Sequence, residues 1–343
     1  MDLQNLWFVL IAVLWSGYFL LEGFDFGVGM LLPFLPRDDD QRDAMFASIG
    51  PVWDGNEVWL VTAGGATFAA FPAWYATMFS GLYIALLAVL FFLIIRVVSF
   101  EWRTKSTSPR WRRVWLWANA VGSFGASLIW GVGLANLLYG TPINSHGDFD
   151  GTFWDLFNAY TVLAGVAVVA VFAFHGATYL TLRTQGDLLE RAGAASRGLS
   201  VVAAALGSVF LIWTVVVAVD RNDKSVFPPV LPAAIGIAAY LLAVVFVRRR
   251  SQIRAFAMTG LGTIAVGHAL CQPVSAGDGL EHRLRQQPHG QRHGLRALHA
   301  GGDVGRRADL RPADPALPVL DVPRVPRPGR RPARRAHAVA GWR

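Results

Sequence analysis

The sequence predicts an all-α fold: a polytopic transmembrane helical bundle of about seven full spans plus a truncated eighth, then a disordered basic C-terminal tail. Three observations carry this. Hydrophobic residues make up 54% of the chain and charged residues only 16%, too little charge to cover a water-soluble domain of this length. The apolar residues gather in blocks of the roughly 20 residues that a helix needs to cross a bilayer. Beyond Val266, Ile, Phe, Tyr, Lys, Asn, Thr and Met all vanish together.

The apolar runs cover residues 6–32, 51–71, 76–98, 114–138, 154–182, 199–219 and 230–247, and another begins near 253. The first has no Lys or Arg ahead of it and contains Glu22 and Asp25. It is also too long for a signal-peptide core, so it reads as a retained span. Basic residues in short loops set the orientation. Arg103, Lys105, Arg110, Arg112 and Arg113 follow the third run; Arg183, Arg191 and Arg197 the fifth; Arg248, Arg249, Arg250 and Arg254 the seventh. Those loops are expected in the cytoplasm, and the N-terminus and the 140–152 segment with His146, Asp148 and Asp150 outside. Trp7, Trp53, Trp74, Trp102, Trp111 and Trp154 fall near run ends, where an amphipathic ring prefers the headgroup level.

Two units are expected, a bundle over 1–266 and an aberrant Arg, Pro and Gly-rich tail over 267–343. The tail holds fourteen Arg against five Asp and one Glu, which accounts for the whole formal charge of +8. The bundle is therefore neutral, and no nucleic-acid partner is expected. Such a composition buries too little apolar surface to fold. It is either a basic tail lying near anionic headgroups or, the preferred reading, a GC-rich gene read out of frame after a span cut in mid-helix. Five histidines between His282 and His337 lack the fixed spacing of a metal site. Cys271 is the only cysteine, so neither an intrachain disulfide nor a thiolate cluster can form.

Acids at bilayer depth carry the functional signal. Glu22 and Asp25 are three apart and share a helix face. An ionised carboxylate there costs about 2.5–3.5 kcal/mol on insertion scales, so such groups normally turn inward and are used. Gly23 and Gly27 flank them in a spacing that lets a second helix approach. The second group is GPVWDGNEVWL at 50–60, where Pro51 suits a first helical turn and Asp54 and Glu57 fall in the positive N-terminal turns. Interfacial water and the helix dipole are the plain alternatives for these acids. Asn56 and the indoles of Trp53 and Trp59 around them exceed what a cap needs.

His175 is the lone histidine of the seven full runs and could relay a proton, ligate haem or pack. Two-histidine haem ligation within these runs is not expected. Arg96 and Glu101 read as an interfacial ion pair or a helix-end anchor. No phosphate-binding loop, dinucleotide fingerprint, nucleophile elbow or zinc-helix motif appears. Taken alone, these residues leave a proton-coupled secondary transporter or channel and a respiratory subunit as equals.

The motifs separate them. GFDFGVG at 23–29, GPVWDGNEVWL with FAAFP, RVVSFEWR at 96–103 and HGATYLTLRT at 175–184 follow in order, and the chain over 1–266 resembles subunit II of the cytochrome bd-type quinol oxidases. The resemblance implies a complex of the prokaryotic plasma membrane that oxidises quinol and reduces oxygen to water. It implies haem b and haem d in a partner, oxidase subunit I, with quinol as substrate of the complex and no haem or metal held by this chain. Membrane lipids and small accessory subunits complete the expected partners. Asp25, Asp54, Glu57 and Glu22 become proton-path candidates, with His175, Trp53, Asn56, Arg96 and Glu101 as structural or relay candidates. A transporter of paired inverted halves would show an internal repeat, and none is visible.

Overall fold

The computed structural model describes residues 3–140, 151–222 and 227–271. Among these residues every regular element is helical. In chain order they are α1 (Leu3–Leu31), α2 (Asp39–Ile49), α3 (Trp53–Ala70), α4 (Pro72–Gly81) and α5 (Tyr83–Trp102), followed by α6 (Pro109–Tyr139), α7 (Ala159–Arg183), α8 (Gly186–Asn222), α9 (Phe227–Arg248) and α10 (Gln252–Cys271). The 140–152 acids and the tail histidines lie outside the described residues.

Among the described residues six helices are long and apolar enough to cross a bilayer, at Leu6–Leu31, Tyr83–Lys105, Pro109–Tyr139, Ala159–Arg183, Gly186–Asp220 and Pro229–Arg248. The chain is a helical membrane bundle. Two expected spans differ in kind from these six. α3 is long enough but holds Asp54, Asn56 and Glu57 in its first turns, and α10 carries Arg254 and His268. The run beginning at 253 forms a full helix that continues past Val266 to Cys271.

Other boundaries moved for local reasons. Phe71 leaves the helical region (φ −135°, ψ 64°) ahead of Pro72, whose ring starts α4 at its first turn. A second break at Leu82 then delays the expected third span to Tyr83. The segment between the first two spans reads as a loop in sequence but contains α2. Its N-cap Asp38 accepts from the Gln41 amide at 2.8 Å, and Met45 and Ile49 bury themselves beside Leu32 and Leu180. The arginine-bearing segment after α7 is helical from Gly186, because Leu188 and Ala192 dock in the same apolar cluster.

α1 is central. It packs against α3, α6, α7 and α10, while α5 to α10 follow one another as packed neighbours and α10 closes back on α7 and α1. The α1–α7 contact is backbone on backbone: a Cβ at Gly27 would sit 1.9 Å from the Phe172 carbonyl oxygen, and one at Gly176 would sit 2.4 Å from the Gly27 carbonyl carbon. Only glycine fits at either position.

Ion pairs join the connections at one end of the bundle. Arg112 reaches Asp39 at 3.0 Å and Asp43 at 2.9 Å, Arg103 pairs with Asp43, and Arg37 reaches Asp187 at 3.2 Å. A hydrogen bond from Arg42, then the charges of Arg112 and Arg103, holds the Asp39 carboxyl below its ordinary pKa.

Candidate functional site

The site forms where α1, α3 and α5 meet. Glu22 and Asp25 on α1 are both fully buried, as the inward-facing reading expects. Arg96 is also fully buried, although the sequence suggested an interfacial partner for it. Its Nη1 pairs with Glu22 and lies 3.2 Å from Glu57 Oε1, while Nη2 stands 3.9 Å from Asp25 Oδ2. Asn56 Nδ2 donates to the same Asp25 oxygen at 2.7 Å. One guanidinium thus serves three carboxyl groups.

This arrangement corrects the Arg96–Glu101 pair. Glu101 is exposed and faces Lys105 at 4.0 Å on its own helix. Five residues place it about 140° around α5 from Arg96, so the two cannot share a partner. The physical cost of burying an arginine is met by packing as well as charge: Phe26 lies under the guanidinium at 4.9 Å and Phe100 at 5.9 Å. Trp53 stacks on Phe100 at 5.5 Å, which ties the start of α3 to α5.

The cluster is graded from exposed to buried. Asp54 is exposed in the first turn of α3, Glu57 keeps 23% of its side chain exposed, and Asp25 and Glu22 are sealed. Glu22 Oε2, Asp25 Oδ1 and Arg96 Nε have no hydrogen-bond partner among the described residues.

Asn119 and Ser99 were not legible as part of this site. Asn119 Nδ2 donates to Ser99 Oγ at 2.8 Å and to the Arg96 carbonyl at 3.3 Å, bracing α5 on α6 beneath the cation. The available signal was an asparagine in the apolar run at 114–138.

His175 stands apart from the carboxyl cluster. The Leu20 carbonyl can only accept, so Nε2, 3.1 Å away, carries the hydrogen. Nδ1 meets the Thr259 hydroxyl at 2.7 Å, and the ring stacks on Phe256 at 4.6 Å. Both nitrogens are committed to bonds that join α7 to α1 and α10. Among the described residues no group of three or more His, Cys, Asp or Glu side chains is placed to hold a metal ion.

Comparison with known proteins agrees with this architecture. The model of the family described as cytochrome bd terminal oxidase subunit II matches residues 3–272. Cytochrome bd ubiquinol oxidase subunit 2 of Bacillus subtilis (strain 168) is 40% identical over 266 residues, 76% of this chain and 77% of that protein. Cytochrome bd-I ubiquinol oxidase subunit 2 of Escherichia coli (strain K12) is 43% identical over 215 residues. That match spans 62% of this chain but only 57% of the Escherichia coli protein. The bd oxidase of Geobacillus thermodenitrificans superposes with a TM-score of 0.56 at 16% identity, covering 78% of this chain and 83% of that one, a likeness of fold.

Proposed function

Because the chain belongs to the cytochrome bd terminal oxidase subunit II family, we propose that it is the haem-free subunit of a membrane quinol oxidase and helps deliver cytoplasmic protons for oxygen reduction. The observation that carries this reading is the graded cluster: Asp54 at the surface, Glu57 half-buried, then Asp25 and Glu22 sealed around Arg96. Reducing oxygen to water consumes protons, and a centre buried in protein needs ionisable groups or water to receive them. The relatives named as ubiquinol oxidase subunits support quinol as the electron donor.

Haem b and haem d belong in this reading to a partner, subunit I. His175 does not fit a haem: both ring nitrogens are engaged in hydrogen bonds between helices. The role of this chain is then to hold the partner, seal the site and pass protons along its carboxyl groups. Lipids and small accessory subunits complete the assembly in the prokaryotic plasma membrane, with the N-terminus outside.

The test is to replace Asp25 by Asn, Asp54 by Asn and Glu57 by Gln, one at a time, in the complex. Quinol oxidase turnover should fall by roughly 10²-fold while haem absorbance stays near that of the parent. Full turnover in all three would make the acids structural. Loss of haem together with activity would assign them to assembly. Extraction in mild detergent separates the rival class, since an oxidase subunit co-purifies with a coloured partner and a transporter or channel comes out colourless.

A further inference from the structure

A cavity of about 650 Å³ opens at the arginine-bearing end of the bundle, between the end of α7, the first turns of α8 and the α9–α10 turn. Arg37, Arg191, Arg197 and Arg250 line it against two acids, Asp187 and Glu190. Asp187 is already engaged by Arg37 at 3.2 Å. The wall is thus cationic, and none of these groups belongs to the Glu22, Asp25 and Glu57 cluster.

The interior of the cavity holds unused hydrogen-bonding capacity. Ser196 is 1% exposed, and its hydroxyl has no partner among the described residues. A buried hydroxyl in that state is costly unless something in the cavity completes the bond. Arg191 gives Nη2 to the Phe34 carbonyl at 3.3 Å, while its Nε is buried and unsatisfied. Arg250 adopts φ 54° at the end of α9, a left-handed position where glycine is the usual choice. The turn accounts for that conformation, since the Ser251 amide donates to the Phe246 carbonyl at 2.9 Å and the Arg250 amide to the Val247 carbonyl at 3.0 Å, and it leaves Arg250 on the cavity wall.

We infer that this cavity binds a phosphate group carried by an anionic phospholipid of the adjoining leaflet. Phosphate oxygens match several guanidinium forks and one hydroxyl at once. The position is that of lipid headgroups, because the cavity lies where α7 ends, α8 begins and α9 turns into α10. Leu189, Val247 and Ala255 supply apolar wall beside the charges, as a glycerol backbone and the start of its chains require.

The full chain, purified in mild detergent and stripped of lipid, is titrated with short-chain phosphatidylglycerol, phosphatidylcholine or inorganic phosphate, and bound species are counted by native mass spectrometry. Phosphatidylglycerol should bind in preference to both others. The double variant R191Q/R250Q should bind it about tenfold or more weakly, and R191K/R250K should keep most of the affinity. Arg248→Gln, exposed on α9 and outside the cavity, should change nothing. Equal binding by R191Q/R250Q and the parent overturns the proposal. Inorganic phosphate binding as tightly as the lipid assigns the cavity to a soluble anion and overturns its lipid part; equal binding of phosphatidylcholine removes its charge selectivity. If the glutamine pair fails to fold by circular dichroism, Ser196→Val decides, since filling the cavity floor must weaken retention of phosphatidylglycerol.

Discussion

Arg96 is surrounded by more acid than it can neutralise, and this makes it the residue on which the cluster depends. Replacing it by Gln removes the cation that, among the described residues, pairs with Glu22, Asp25 and Glu57. Breaking a buried pair from one side costs about 3–5 kcal/mol, because the remaining charge has nowhere to go. The variant should therefore show a large drop in thermal stability in detergent, and adding Glu22→Gln should restore part of it; additive losses would show that the two side chains act independently. The acids themselves were legible, since a carboxyl in an apolar run has few other uses. Their cation was not, because Arg96 lies two residues before the end of its run and an arginine there can equally reach water. Only the path of α5 past α1 decides between those outcomes, and nothing local in the chain encodes it.

At the scale of elements, most long apolar runs became single helices, although the run at 76–98 breaks at Leu82, while the connections were not legible. α2 lacked an apolar period of its own and owes its helix to the Asp38 cap and to Met45 and Ile49 finding a surface made by α1 and α7. The first turns of α8 are similar: their arginines look like loop, and two small contacts, Leu188 and Ala192, make them helix. The α1–α7 seam was foreshadowed by Gly23 and Gly27, although the partner helix and its own Gly176 were not. Gly27→Val should separate these helices. Forced overpacking costs typically 1–3 kcal/mol even where side chains can yield, and here the obstacle is backbone. We expect reduced yield and a lower unfolding temperature, with the reverse result, unchanged stability, showing that the two helices do not touch at that point. Val at Gly55, where an added Cβ meets nothing within 4 Å, serves as the control.

At the scale of the molecule, the bundle follows from hydropathy, and charge predicts its orientation. Reporter fusions at Thr107 and Ser145 should give opposite signals, with Thr107 inside; equal signals would overturn the order of spans. The family match ends at residue 272, close to Val266, where seven residue types disappear at once. A frameshift there predicts that another reading frame of the same DNA encodes at least one further apolar run of about 20 residues, and the absence of one in both other frames would make the tail genuine. The pairs that join α2 to Arg103 and Arg112 bear on how such a chain is made. Asp39 and Asp43 can neutralise those arginines only after α2 has docked, so a nascent chain presents them at full strength while its orientation is being chosen. Folding then cancels much of that charge. If the reporter fusions place this loop inside, the signal that steers insertion is spent once it has acted, and the finished surface repels cations less than the bare count of arginines implies.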